Sequence, residues 1–260
     1  MSRILVGGVS VAVLAFSAQR AGAYELQLAP SGEAVRWASD PVLTEIEMEH
    51  GPDGVDPAAA AAAVRRALST WTDAGAPQFV AASSEETPQL RIRFSMSPAD
   101  PAIDPAALAL THLNFDSLTG DLLTVEIAVN GFAFRWAPGD DCANGSDDFQ
   151  YDLESTLAHE VGHAVGLRHS EDPQATMFTR PQPCARERRD LSDDDLSAVA
   201  ALYGDGTEEP ATDPESGTPA GCSAAGGSGA SAPLVVIAFG AAVVGRRRRR
   251  PRAAAARCAV

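Results

Sequence analysis

His159-Glu160-Val161-Gly162-His163-Ala164-Val165-Gly166-Leu167-Arg168-His169 is the run that decides how this 260-residue chain reads. On an α-helix His159 and His163 are four residues apart, so both imidazoles leave the same face one turn from each other. At that separation two neutral imidazoles can share one zinc at about 2.0–2.1 Å. Glu160 comes one position later, within reach of a metal-held water without being the obvious ligand. Gly166 stops the helix and tolerates φ > 0, so the chain can turn sharply and return His169 as a third ligand. Three protein ligands leave a fourth position for water, which is the arrangement of a catalytic rather than a structural site. In that arrangement zinc brings the pKa of the water down to about 7, and Glu160 acts as general base.

The first five residues alone would recur by chance in roughly one chain in a hundred. Adding Gly166 and His169 lowers that rate several hundredfold at ordinary residue frequencies. Three of the five histidines fall inside these eleven residues. The competing reading is three incidental histidines on a solvated helix and turn. His50 and His112 read as ordinary strand histidines.

Outward from this run, the periodicity predicts an α+β domain. Asp152 caps the zinc helix, and Leu153, Leu157, Val161 and Ala164 or Val165 form its buried stripe. A last helix starts at Ser192, with Asp195 as capping partner and Leu196, Val199, Ala200 and Tyr203 on its apolar face. Upstream, Asp56-Pro57 opens an Ala-rich helix bearing Val64, Leu68 and Trp71. Alternating segments predict strands over 43–49, 90–96, 108–115 and 122–130.

The ends differ from this middle. All twenty basic residues are Arg, and nine of them lie near the termini. Between Tyr24 and Gly221, 35 acids face eleven Arg. That imbalance favours solubility and argues against nucleic-acid binding, because phosphates would be repelled. Arg3, the apolar run Ile4 to Ala18 and the small residues Ala21-Gly22-Ala23 read as a secretory signal over 1–23, hence export. In an oxidising compartment Cys142 and Cys184 are candidates for a disulfide. Zinc ligation by the pair is the rival, and ranks lower because neither belongs to a CxxC motif. Residues 205–221, rich in Pro, Glu and Thr, read as a linker. Beyond it, Cys222, the apolar run Pro233 to Gly245 and five consecutive Arg form a stop-transfer pattern over 222–260.

The eleven-residue run resembles the metzincin signature, whose further mark is a downstream methionine turn. Met177, eight residues after His169, is similar to the matrixin branch. So are Leu191-Ser192-Asp193-Asp194-Asp195 and Ala201-Leu202-Tyr203-Gly204. The resemblance is specific over 152–204 and weaker back to about residue 40. It implies a zincin-like domain over 24–204, with a twisted mixed sheet, about three helices, and substrate extended along an edge strand above the zinc. It implies that Met177 floors the metal site without ligating it. Thr179 stands where matrixins often have Pro, which leaves the wall of the primary specificity pocket open. No Cys precedes Cys142, so a cysteine-switch latency segment is not expected. Calcium is a candidate for the acidic turns Asp116–Asp121 and Asp140–Asp148, though solvated loops are the plainer reading. The tail resembles Cys-containing C-terminal sorting signals of exported myxobacterial proteins, with Cys222 as the sorting residue; a permanent single-span anchor is the alternative.

The expectation is therefore an exported, monomeric zinc endopeptidase acting on extended protein segments and held at the cell surface by its tail. A surface-attached zinc-fold binding or adhesion module with little turnover is the alternative, and Glu160 discriminates, since a binder has no need of the base.

Overall fold

The computed structural model describes residues 22–47, 51–140, 142 and 150–204, together with the backbone of 253–259. All but the last two residues of the expected signal, together with the linker, Cys222, the apolar run, His50 and most of the 140–148 turn, lie outside the described residues. No helix among the described residues is long and apolar enough to cross a membrane.

One sheet organises the domain. Strand β1 (Val42–Glu47) is followed by helix α1 (Pro57–Asp73), then β2 (Phe79–Ala81), β3 (Leu90–Ser95), β4 (Ala109–Asp116) and β5 (Leu122–Asn130). A final strand, β8 (Ala253–Ala259), completes the order β2-β1-β3-β5-β4-β8. The pairs β1–β2, β1–β3 and β3–β5 are parallel, whereas β4 runs antiparallel to β5 and to β8. The short strands β6 (Trp136–Ala137) and β7 (Tyr151–Asp152) pair with each other and lead into helix α2 (Leu153–Ala164). A 3-10 turn, Arg186–Arg189, and helix α3 (Asp193–Tyr203) follow. The mixed sheet and three α-helices agree with the expected class. The two-residue strands and β2 were not foreseen, because segments that short carry no usable period, and neither was β8, whose Ala-rich seven residues do not alternate.

Alternation explains which face is covered. On β3, Leu90, Ile92 and Phe94 are buried; on β5, Val125, Ile127 and Val129 are. Both sets join α1 and α2 in one core containing Trp71, Leu157 and Val161. The opposite face carries Arg91 paired with Glu45 and Glu47, and Arg93 paired with Asp100 and Glu126. Trp71 fixes α1 to α2 by more than contact, since its Nε1 donates to Ala158 O at 2.7 Å.

The end of α2 shows how its free carbonyls are satisfied. Val165 N donates to Val161 O, Leu167 N to Gly162 O and Gly166 N to His163 O. Trp37 Nε1 then donates to Ala164 O at 2.9 Å, and Tyr203 OH to Val165 O at 2.7 Å. Every carbonyl of the last turn is thereby paired, two of them by side chains from distant parts of the chain. The helix end beneath the site is rigid for that reason.

Candidate metal centre

Helix α2 delivers the first two histidines. Asp152 caps it by accepting from Ser155 N at 2.8 Å, and Arg189 pairs with the same carboxylate. His159 and His163 are both buried, and their Nε2 atoms come within 3.1 Å of each other. Gly166, at φ 103°, turns the chain, and His169 swings back with its ring centroid 5.2 Å from that of His159 and 4.8 Å from that of His163. A side chain at 166 would place its Cβ 1.9 Å from Val35 O, so glycine is required twice over, by conformation and by space. One ring nitrogen from each histidine lies within 4.8 Å of the others, and among the described residues this is the one group with the makings of a metal site.

Hydrogen bonds set which nitrogen faces the site. His159 Nδ1 lies 2.7 Å from Thr176 O, and His163 Nδ1 lies 2.9 Å from Leu167 O. A carbonyl only accepts, so both Nδ1 atoms carry the proton and both Nε2 lone pairs are left for a metal. Burial holds both rings neutral: His159 falls well below its ordinary value, and His163 to about 3. Glu160 is fully buried, and burial pushes its carboxyl up to about 8 against an opposing hydrogen bond from the Thr111 hydroxyl of β4. Its other oxygen, Oε1, finds no hydrogen-bond partner among the described residues. Three imidazole donors, two of them held neutral, beside an orphaned carboxylate oxygen fit a divalent metal with nitrogen preference, and zinc above others.

Behind the ligands stands an acidic support that the sequence disclosed only in part. Asp195 is buried, and its carboxylate accepts from Thr176 N, Met177 N, Ser192 N and Ser192 Oγ. The capping box expected at Ser192 is present. The same carboxylate also holds the backbone of Thr176, whose carbonyl orients His159. Asp194 accepts from Ala23 N at 2.6 Å, Tyr24 N at 3.1 Å and Ser170 Oγ at 2.7 Å. Met177 lies buried under α2, and a Cβ on Gly162 would come within 2.2 Å of its Sδ. Cys142 and Cys184 are joined by a disulfide. In the Asp116–Asp121 turn the carboxylates are spent locally: Asp116 Oδ1 accepts from Leu118 N and Thr119 N, and Asp121 Oδ2 from Thr119 Oγ1. His112 sits on β4 with Nε2 2.6 Å from Ala102 O, an ordinary strand position. Thr111, Thr176, Asp194 and Asp195 were missed as site residues, and a polar residue in a buried strand position was the one available signal for Thr111.

The sequence pattern of the Matrixin family (Peptidase_M10) matches residues 36–204. The chain belongs to the matrixin family. Matrixins are zinc metalloendopeptidases, and the histidine triad supplies the donors that the family's catalytic zinc requires. This matrixin is 29% identical over 174 residues to Metalloendoproteinase 1-MMP of Arabidopsis thaliana, covering 65% of the chain and 44% of the relative. It is 30% identical over 148 residues to Metalloendoproteinase 1 of Glycine max, covering 55% and 45%. It is 35% identical over 104 residues to Matrix metalloproteinase-27 of Homo sapiens, covering 37% and 20%. The chain thus spans less than half the length of these relatives.

Proposed function

We propose that this matrixin is an exported, zinc-dependent endopeptidase that hydrolyses peptide bonds in extended protein segments. His159, His163 and His169 hold the metal and Glu160 is the general base. The observation that carries the reading is the polarity of the triad. Two Nδ1 protons are tied to backbone carbonyls, so the Nε2 lone pairs meet at one point beside a buried carboxylate oxygen that lacks a partner.

Zinc, when bound, polarises a substrate carbonyl and lowers the pKa of a water from 15.7 to about 7. The chain's residues supply the rest. Glu160 takes the water's proton and returns it to the leaving amine. The bound cation favours the ionised carboxylate and so reverses the upward pull of burial. The Thr111 hydroxyl holds one oxygen of Glu160, which fixes the angle at which the other acts. β4 offers an antiparallel edge to an extended substrate, a mode in which main-chain hydrogen bonds give affinity and side-chain pockets give selectivity. The pairing of β8 along that same edge supports this, since it is an extended segment of the chain itself running antiparallel to β4.

Export rests on the signal-like residues 1–23, and surface retention on the linker and tail beyond 204, with Cys222 as the sorting residue. The disulfide between Cys142 and Cys184 suits an oxidising compartment. The test is incubation of the zinc-loaded protein with a diverse peptide mixture, with and without a chelator. Internal cleavages that vanish with the chelator and return with zinc are expected. One bound zinc without any cleavage would favour the binding module instead.

A further inference from the structure

A narrow pocket of about 20 Å³ opens beside the metal centre, between α2 and the segment after the methionine turn. His159, Ser155, Tyr151, Phe178 and Arg188 line it. Arg188 is the anomaly. As a residue it is 7% exposed, yet no carboxylate among the described residues lies within ion-pair distance of it, and Glu187 and Asp195 act on its charge only from farther away. Its Nη1 donates to Arg180 O at 2.8 Å and to Phe178 O at 3.5 Å, and its Cζ lies 5.2 Å from the centroid of the Phe178 ring. Neither Nε nor Nη2 donates to any described residue.

The neighbours sharpen the anomaly. Arg189, next in sequence, pairs with Asp152 and Asp140. Asp195, the buried carboxylate in this region, already accepts four hydrogen bonds. The chain carries 35 acidic residues, so carboxylates to pair with Arg188 are not scarce. Buried charges are normally paired, because burial without a partner is strongly unfavourable. A largely buried cation that lines this cleft with no carboxylate in contact, and with two nitrogens that bond to no described residue, therefore points to an anion delivered from outside.

We propose that Arg188 makes this pocket selective for an acidic side chain, aspartate above all, on the substrate residue adjoining the cleaved bond. The inference rests on the peptidase reading above and names its substrate class. The pocket is narrow and leaves no room for a long side chain, so among acidic residues the short aspartate fits it better than glutamate. Ser155 and Tyr151 supply further polar lining, whereas a long apolar side chain would bury the guanidinium with no counter-charge.

Two measurements on the zinc-loaded protein test this. The first compares cleavage of peptides identical except for Asp, Asn or Leu at the position flanking the cut. The second compares binding of two zinc-anchoring peptide hydroxamates that carry Asp or Asn at that position, which needs no turnover. Charge-assisted hydrogen bonding of a guanidinium should favour Asp over Asn by roughly ten- to a hundredfold in both. Arg188→Met should bring the Asp-to-Asn ratio to about one in both measurements, whatever the overall rate, whereas loss of a merely structural arginine would lower both members of the pair alike and keep the ratio. If that variant fails to fold, the ratio in the parent decides alone. Equal treatment of Asp and Asn, or preference for Leu, would overturn the assignment. Selective hydroxamate binding without cleavage of any peptide would sustain the pocket and reject the peptidase; binding of neither hydroxamate would overturn both.

Discussion

Substituting Gly162 by alanine sets two effects against each other, and the structure decides the sign. Gly162 lies inside α2, where alanine should stabilise the helix by about 0.8–1.0 kcal/mol through propensity alone. The new Cβ would sit 2.2 Å from Met177 Sδ, 3.1 Å from Met177 Cε and 2.7 Å from Trp71 Cζ2. Methionine can move its thioether end, but Trp71 is held by the bond from its Nε1 to Ala158 O and has no free direction. Overpacking of this kind costs about 1–3 kcal/mol. The net expectation is destabilisation by up to about 2 kcal/mol, or a fall in Tm of up to roughly 8 °C for a domain of this size. Because Met177 continues from Thr176, whose carbonyl orients His159, zinc should also be held less firmly. Denaturant unfolding of the metal-free protein and competition for zinc against a calibrated chelator measure the two effects separately. A Gly162→Ala protein more stable than its parent, with unchanged zinc affinity, would refute the packing argument and leave propensity as the winner.

Three further outcomes are expected. Gly166→Ala should be costlier than Gly162→Ala by denaturant unfolding, since it combines positive φ with a backbone oxygen 1.9 Å away; equal losses would contradict that. In metal-free protein the raised carboxyl of Glu160 binds more protons folded than unfolded between about 4.5 and 8, so the parent should lose stability relative to Glu160→Gln as pH rises through that window. The difference above pH 8 should be on the order of a few kcal/mol, the opposite-signed contributions of His159 and His163 cancelling between the two proteins, and parallel pH profiles would count against it. Deleting the residues after Gly221 removes β8 from β4, and should release the protein from the cell surface and raise kcat/KM for extended peptides; unchanged kcat/KM would mean that β8 and substrate do not compete for the edge.

Legibility followed the length scale of the signal. The ligands and general base were readable because a helix converts four-residue spacing into a shared face, and Gly166 was readable because a return of the chain within three residues needs positive φ. The strands β3 and β5 and the three helices carried enough period to be found. Thr111 was not readable as a site residue, since its contact with Glu160 joins positions 49 apart in sequence. Asp195 showed its local capping role and hid its support of Thr176 and Met177, 19 and 18 residues upstream. Gly162 had no role in the sequence reading, because Met177 and Trp71, which press against it, lie 15 and 91 residues away along the chain. Arg188 carried no sequence signal at all, because whether a carboxylate comes within ion-pair distance of it is settled by the fold and not by its neighbours in the chain.

The central claim is that Glu160 does chemistry while the three histidines hold the metal, and one comparison separates those roles. Glu160→Gln and parent are each loaded with zinc, and bound metal and peptide hydrolysis are measured on the same samples. The substitution leaves all three imidazoles in place and keeps a group that can bond to Thr111. It removes only the capacity to accept a proton from water. One zinc per chain in both proteins is expected, with hydrolysis lower by about 10²–10⁴-fold in Glu160→Gln, the usual worth of general-base assistance. Full zinc occupancy with undiminished hydrolysis in Glu160→Gln would contradict the account.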